Sequence, residues 1–329
     1  MGLLISQNVL ATELYDQEIV NADTGEGQDC KGHQSFLFDN LHFLLLGAQG
    51  PDVLSAYGLN SIIDLHPFLR HRDLGNKTHL LTGNDLIKAF AFEISGIEDP
   101  KERNAFESWS FGFLSHYILD SRCYPYVLYF SRFSNDGRKG RYWLSRQLHL
   151  EEAIDIAMAN RFEATYFIRN PEDALPFVKS ETRIIDKHFK KVIEKLLHEE
   201  VSDDFYSECV SVSRAKLKRG LYVNSGFRRI TNIGNGFKVS GEIGDRCLNV
   251  EGVAWKDPLL ESTTNESFLD LFAKAQDDLN QVYESIVLDG FPSLIGEVNW
   301  PNDFFGFPPE SKVFFSDDNP QDWSNMVGK

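Results

Sequence analysis

Cysteine is scarce in this chain of 329 residues. There are four, Cys30, Cys123, Cys209 and Cys247, and no two form a C-x-x-C pair. Thiols scattered in this way write no zinc ribbon and no redox motif, so reduced side chains in a cytoplasmic protein are expected. Long apolar runs are missing too. None reaches the roughly 20 residues that a membrane-spanning helix needs, so no transmembrane segment is expected. No basic region precedes the apolar stretch of MGLLISQNVLATEL, and acid arrives by Glu13, unlike a secretory signal. Basic charge is in deficit: Lys plus Arg is 33 against 49 for Asp plus Glu, a net charge of -16. Such a surface repels phosphate backbones and anionic lipid, which excludes nucleic acid as a general partner. No internal repeat is visible.

Aromatic and helical patterning is abundant. Hydrophobic residues make up 42% of the chain and 26 residues are Phe, enough large rings for a substantial core. Apolar positions recur with a helical period over residues 34–46, 83–94, 101–120, 150–160, 181–199, 203–221 and 266–286. Thr82 is a natural N-cap for the second of these. The last carries its apolar stripe at Phe268, Leu271, Phe272, Ala275, Leu279, Val282 and Tyr283. The Gly/Asn/Arg-rich stretch 224–252 reads as a loop or small hairpin. The expected fold is therefore mainly α, a multi-helix bundle with long loops. Residues 1–289 form one helical domain and 290–329 an aromatic, Pro/Asp-rich tail. That tail is expected to lie across the domain and bury its rings. Its other use would be to bind a protein partner.

One stretch, GFLSHYILD, sets His116 and Asp120 four residues apart in an apolar helical run. Side chains at this spacing project from one face, and an imidazole beside a carboxylate on a buried face is how helical bundles build metal sites. The bland alternative is a histidine satisfied by its neighbour. A second carboxylate, Asp52, follows the turn GAQGPD, where Pro51 stiffens the backbone. It would serve as ligand, as general base or only as a helix cap. His79 precedes the Thr82 cap, and His149, Glu151, Glu152 and Asp155 cluster in RQLHLEEAID. His42 and His66 sit in apolar segments and read as structural. His188 and His198, with the basic run 187–195, read as a solvated helix face.

In order along the chain, GAQGPD, GFLSHYILD with YPYV after it, Glu151 four residues before Asp155, and LNVEGVAW with TTNESFLDLF resemble the zinc-dependent phospholipase C family in its bacterial branch. The resemblance runs from the N-terminal helix to Ile286 and is loose over 180–244. It implies a helical enzyme that holds zinc in a cleft and hydrolyses a phosphodiester such as a phospholipid head group. Asp52 would act as general base and as a ligand, with His79, His116, Asp120 and Glu151 completing the metal set. The family also places histidines at positions where this chain has Glu13, Gln147 and the Tyr124–Tyr126 neighbourhood. Fewer zinc ions than the family norm are therefore expected, or none. The chain is then either an enzyme with a reduced metal site or a silent member of the fold that binds or scaffolds.

Overall fold

A computed structural model describes residues 3–13, 36–37, 39–57, 74–131, 140–164, 166, 170–218, 241–257 and 262–308. Its architecture is organised by one long central helix. In chain order the described α-helices longer than four residues are α1 (residues 4–13), α2 (Leu41–Ala48), α3 (Leu74–His79), α4 (Gly83–Ser95), α5 (Pro100–Phe130), α6 (Gly140–Arg161), α7 (Lys179–Leu197), α8 (Phe205–Lys218), α9 (Gly241–Cys247) and α10 (Phe268–Asp289). A 3-10 turn, Gly50–Ala56, follows α2. Two short strands, β1 (Trp255–Lys256) and β2 (Thr263–Thr264), pair antiparallel. The protein is mainly helical, and among the described residues no helix is long and apolar enough to cross a membrane.

Helix α5 is the axis of the bundle. Asp99 caps its start by accepting from the backbone N–H of Lys101 and Glu102, and Pro100 is pre-set for the first turn. From Phe111 to Asp120 every residue is buried, as expected of a helix wrapped on all sides. The periodicity predicts an end at Asp120, yet the helix runs on through Pro125 to Phe130. A proline inside a helix forfeits one backbone bond. Here the surrounding burial of Cys123, Tyr126 and Val127 outweighs that loss.

Helix α2 crosses α5 at unusually short range. A Cβ added to Gly47 would stand 2.0 Å from the Trp109 carbonyl oxygen, and one added to Gly112 would stand 2.2 Å from that of Leu44. Two glycines, one on each helix, thus let the backbones touch. This contact carries the GAQGPD turn onto the middle of α5. Trp109, beside the crossing, donates its indole N–H to the Tyr206 hydroxyl at 2.9 Å. That hydroxyl donates in turn to the Leu46 carbonyl at 3.2 Å, so a buried polar pair is satisfied inside an aromatic core.

Several sequence expectations shift. Helix α2 begins at Leu41 rather than at residue 34, with a turn at 36–37. The stretch 224–252 is not a hairpin where it is described, since Gly241–Cys247 is helical, and residues 219–240 lie outside the described set. The small hairpin stands further on, as β1 and β2. His188 is not on a solvated face. It falls on the buried stripe Ile185, Phe189, Val192 of α7, where Nδ1 meets Glu93 Oε1 at 2.7 Å. His66 and the second half of the tail, 309–329, lie outside the described residues. Residues 290–308 pack into the same core as the rest, with Phe291, Leu294 and Phe304 fully buried.

Candidate metal centre

Three elements converge where α2 ends. Gly50 opens the 3-10 turn with φ +50°, and a Cβ there would lie 2.4 Å from Cγ of the His116 ring. Only glycine suits both the left-handed backbone and the close approach. The turn presents Asp52 on one side of the ring. Helix α3 packs against this turn through Gly75, whose absent Cβ would meet the Ser55 hydroxyl at 2.5 Å. It ends on His79, which it delivers to the other side. Donor atoms of Asp52, His79 and His116 all lie within 4.8 Å of one another.

The two imidazoles are held alike. Nδ1 of His79 lies 2.8 Å from the Gly75 carbonyl, and Nδ1 of His116 lies 2.9 Å from the Ala48 carbonyl. A carbonyl only accepts, so both Nδ1 atoms carry the proton and donate. In a neutral ring Nε2 is then a bare lone pair. Each of these lone pairs faces a carboxylate oxygen. His79 Nε2 is 3.5 Å from Asp52 Oδ1, and His116 Nε2 is 3.1 Å from Asp120 Oδ2. Despite that distance, His116 Nε2 is buried without an aligned hydrogen bond. Two Lewis bases turned toward each other repel unless a cation, a proton or a metal, stands between them.

Donors around a tetrahedral zinc at about 2.0–2.1 Å stand about 3.3–3.4 Å apart. The separations of 3.1 and 3.5 Å bracket that value. A donor Nδ1–H on a backbone carbonyl is also the usual outer-shell partner of a metal-bound histidine. The set of two imidazoles and carboxylates suits zinc better than a hard all-oxygen ion. Burial depresses the His79 imidazole, and the opposing pull of Asp52 and Asp120 does not restore it. Burial works on His116 as well, but Asp120 and then Asp52 outweigh it and hold that ring above its usual value. The closer carboxylate explains the difference.

Asp120 adjoins the trio through His116, with Oδ2 3.1 Å from Nε2, and is not one of the three residues whose donor atoms all lie within 4.8 Å of one another. Its Oδ1 accepts from the side-chain amide of Gln7 at 2.9 Å. Gln7 comes from α1, which Asp155 tethers. That carboxylate accepts from Ile5 N–H at 3.1 Å, Ser6 N–H at 3.0 Å and the Ser6 hydroxyl at 2.7 Å. Asp155 is thus a cap for α1, and Gln7, unmarked in the sequence, is the side chain that orients Asp120.

Glu151 does not join the trio. Gln147 donates to its Oε1 at 2.8 Å and to the Tyr124 hydroxyl at 3.1 Å. Burial pushes the Glu151 carboxyl up to about 8, Gln147 pulls it back in part, and Asp52 and Asp120 add to the rise. The amide of Gln147 and the phenol of Tyr124 are poor zinc ligands, so this corner offers one carboxyl, not a second metal position. The Tyr126 hydroxyl donates to the Cys247 carbonyl at 2.7 Å, among Trp255 and Phe268. Glu13 is partly buried at the end of the described part of α1, and His149 is exposed.

The tail supplies what spacing did not show. Phe305 stacks on the His79 ring, centroids 5.6 Å apart at 13°, and Phe304 sits edge-on to both His79 and His116. No family model matches this chain, and neither a curated protein nor a solved structure does so.

Proposed function

We propose that this chain is a single-metal phosphodiester hydrolase of the zinc-dependent phospholipase C type, with zinc held by Asp52, His79, His116 and Asp120. One observation supports the metal: Nε2 atoms of two buried histidines lie 3.5 and 3.1 Å from carboxylate oxygens, with both Nδ1 atoms already committed to backbone carbonyls. When bound, zinc supplies a low-pKa water and stabilises charge that develops at phosphorus. Asp52 is the most solvent-open of the four, with a side chain 16% exposed against 10%, 1% and 9% for His79, His116 and Asp120. It is the group best placed to hold a proton taken from a nucleophile. The substrate class is a phosphoester small molecule or lipid head group.

The second reading is a silent member of that fold, a binding or scaffold protein. Gln147 and Tyr124 favour it, because their hydrogen bonds fill a corner where a second metal would share the work. Hydrolysis of a chromogenic phosphodiester by the zinc-loaded protein separates the two. Asp52→Asn should lower the rate by about 10²–10⁴-fold. An unchanged rate in that variant would remove Asp52 from the chemistry, and no hydrolysis with zinc bound would leave only the scaffold reading.

A further inference from the structure

The metal centre is roofed by the chain's own C-terminal segment. We propose that residues 300–307 form an aromatic strap, closed over the site, that must leave before a phosphoester can reach the metal; this rests on the metal reading above.

The strap is built from both backbone and rings. Trp300 and Asn84 exchange one backbone and one side-chain bond: Asn84 N–H donates to the Trp300 carbonyl at 3.0 Å, and Trp300 N–H donates to Asn84 Oδ1 at 2.9 Å. The Asn302 carbonyl accepts from Gly83 N–H at 3.3 Å and from the Tyr117 hydroxyl at 2.9 Å. Phe304 N–H donates to the carbonyl of His79 itself at 3.2 Å. Asp303 folds the tip, with Oδ1 accepting from the N–H of Phe305 and of Phe307, each at 2.9 Å. That turn drives Phe304 inward against His79, His116 and Tyr117, and lays Phe305 between the His79 ring and Tyr124, 4.6 Å from the latter. The result is a His79 that is 8% exposed and a His116 that is 1% exposed.

A hinge precedes it. Phe291 and Leu294 are fully buried and fix the chain to the core. Between them and Trp300, Ile295, Gly296, Glu297 and Asn299 are exposed. Gly296 has φ +104°, and a Cβ there would meet nothing within 4 Å. The strap is therefore joined by an exposed glycine link to a fixed anchor, and held shut by five hydrogen bonds to the rest of the chain and by the rings of Trp300, Phe304 and Phe305. Closed, it excludes water from the imidazoles. Open, it bares the imidazoles of His79 and His116.

Two readouts test this, one of which needs no metal. Diethyl pyrocarbonate acylates accessible unprotonated imidazoles, and peptide mass spectrometry gives a rate for each histidine in the metal-free full chain. His79 should react at least tenfold more slowly than the exposed His149. Phe305→Ala, and independently Asn84→Ala, should speed His79 at least fivefold while circular dichroism and the slow labelling of buried His188 stay unchanged. In the zinc-loaded protein the same two variants should lose zinc to a chelator faster, at unchanged stoichiometry. His79 labelling as fast as His149 in the unaltered chain, or equal rates in chain and variants, would overturn the strap. Failure to hold zinc, with labelling as expected, would overturn the metal reading and leave the strap standing.

Discussion

The site turns on single atoms. A missing Cβ at Gly50 lets the His116 ring lie against the turn that carries Asp52. Gly50→Ala puts a methyl 2.4 Å from the ring and forces an L-residue to φ +50°. It should cost about 1–3 kcal/mol in overpacking and shift His116 away from its lone-pair position. Chemical denaturation of the metal-free chain gives the first effect. A zinc affinity weakened by tenfold or more gives the second, and affinity equal to that of the unaltered chain would show that the ring is not set by this contact. At this scale the sequence is informative wherever chemistry follows from local spacing. His116 and Asp120 share a helical face because they are four apart, and the GAQGPD turn marks Asp52 through its glycines and proline. Gln7, Tyr124, Phe304 and Phe305 carry no such mark. Each reaches the site by a tertiary contact across more than a hundred residues or by a turn within the tail, and neither leaves a period in the chain.

Among elements, the crossing of α2 and α5 decides the geometry. Gly47 and Gly112 bring the two backbones into contact, so the turn after α2 lands beside His116 rather than a side-chain layer away. A methyl at Gly112 would press on the Leu44 carbonyl, which is backbone and cannot rotate aside. Gly112→Ala should therefore destabilise by about 1–3 kcal/mol or more, despite the gain of roughly 1 kcal/mol in helix propensity from Gly to Ala. Thermal unfolding checks the sign, and a stabilised variant would contradict the close crossing. The helical period recovers α4, α7 and α10 well, because their buried stripes are regular and the caps at Thr82 and Ser267 are local. The seven apolar positions read for α10 are all buried. The end of α5 is not legible, since a proline normally argues for a stop and only the packing around Cys123 and Tyr126 overrides it. His188 is legible: it sits three after Ile185 and four before Val192 of the buried stripe, and the lysines on either side hide that.

For the whole molecule, buried acids matter as much as the net charge of -16. Burial pushes Glu107, Asp155 and Asp303 up to about 7, in each case against hydrogen bonds that pull the other way. The folded chain then holds protons that the unfolded chain, with carboxyls near 4, has released. The stability these groups contribute is complete below about pH 4 and is lost as pH rises through about 7. Between pH 5 and 8 the metal-free protein should lose thermal stability, and Asp155→Asn should flatten that loss. A stability that climbs over the same range, unaltered in the variant, would contradict the assignment. The helical class is legible from the apolar period, and among the described residues no helix is long and apolar enough to cross a membrane. That the last described residues close over the centre is not legible, because a tail rich in Phe reads the same whether it covers a site or a bare patch of core.

Metal content tests the central claim most directly. The full chain, equilibrated with limiting zinc at neutral pH, desalted and measured by elemental analysis, should retain one zinc per chain. The double variant His79→Ala, His116→Ala should retain none, and metal should raise the unfolding temperature of the unaltered protein alone. Near-zero zinc in the unaltered protein, with no thermal shift on its addition, would mean that the facing lone pairs and carboxylates hold only protons.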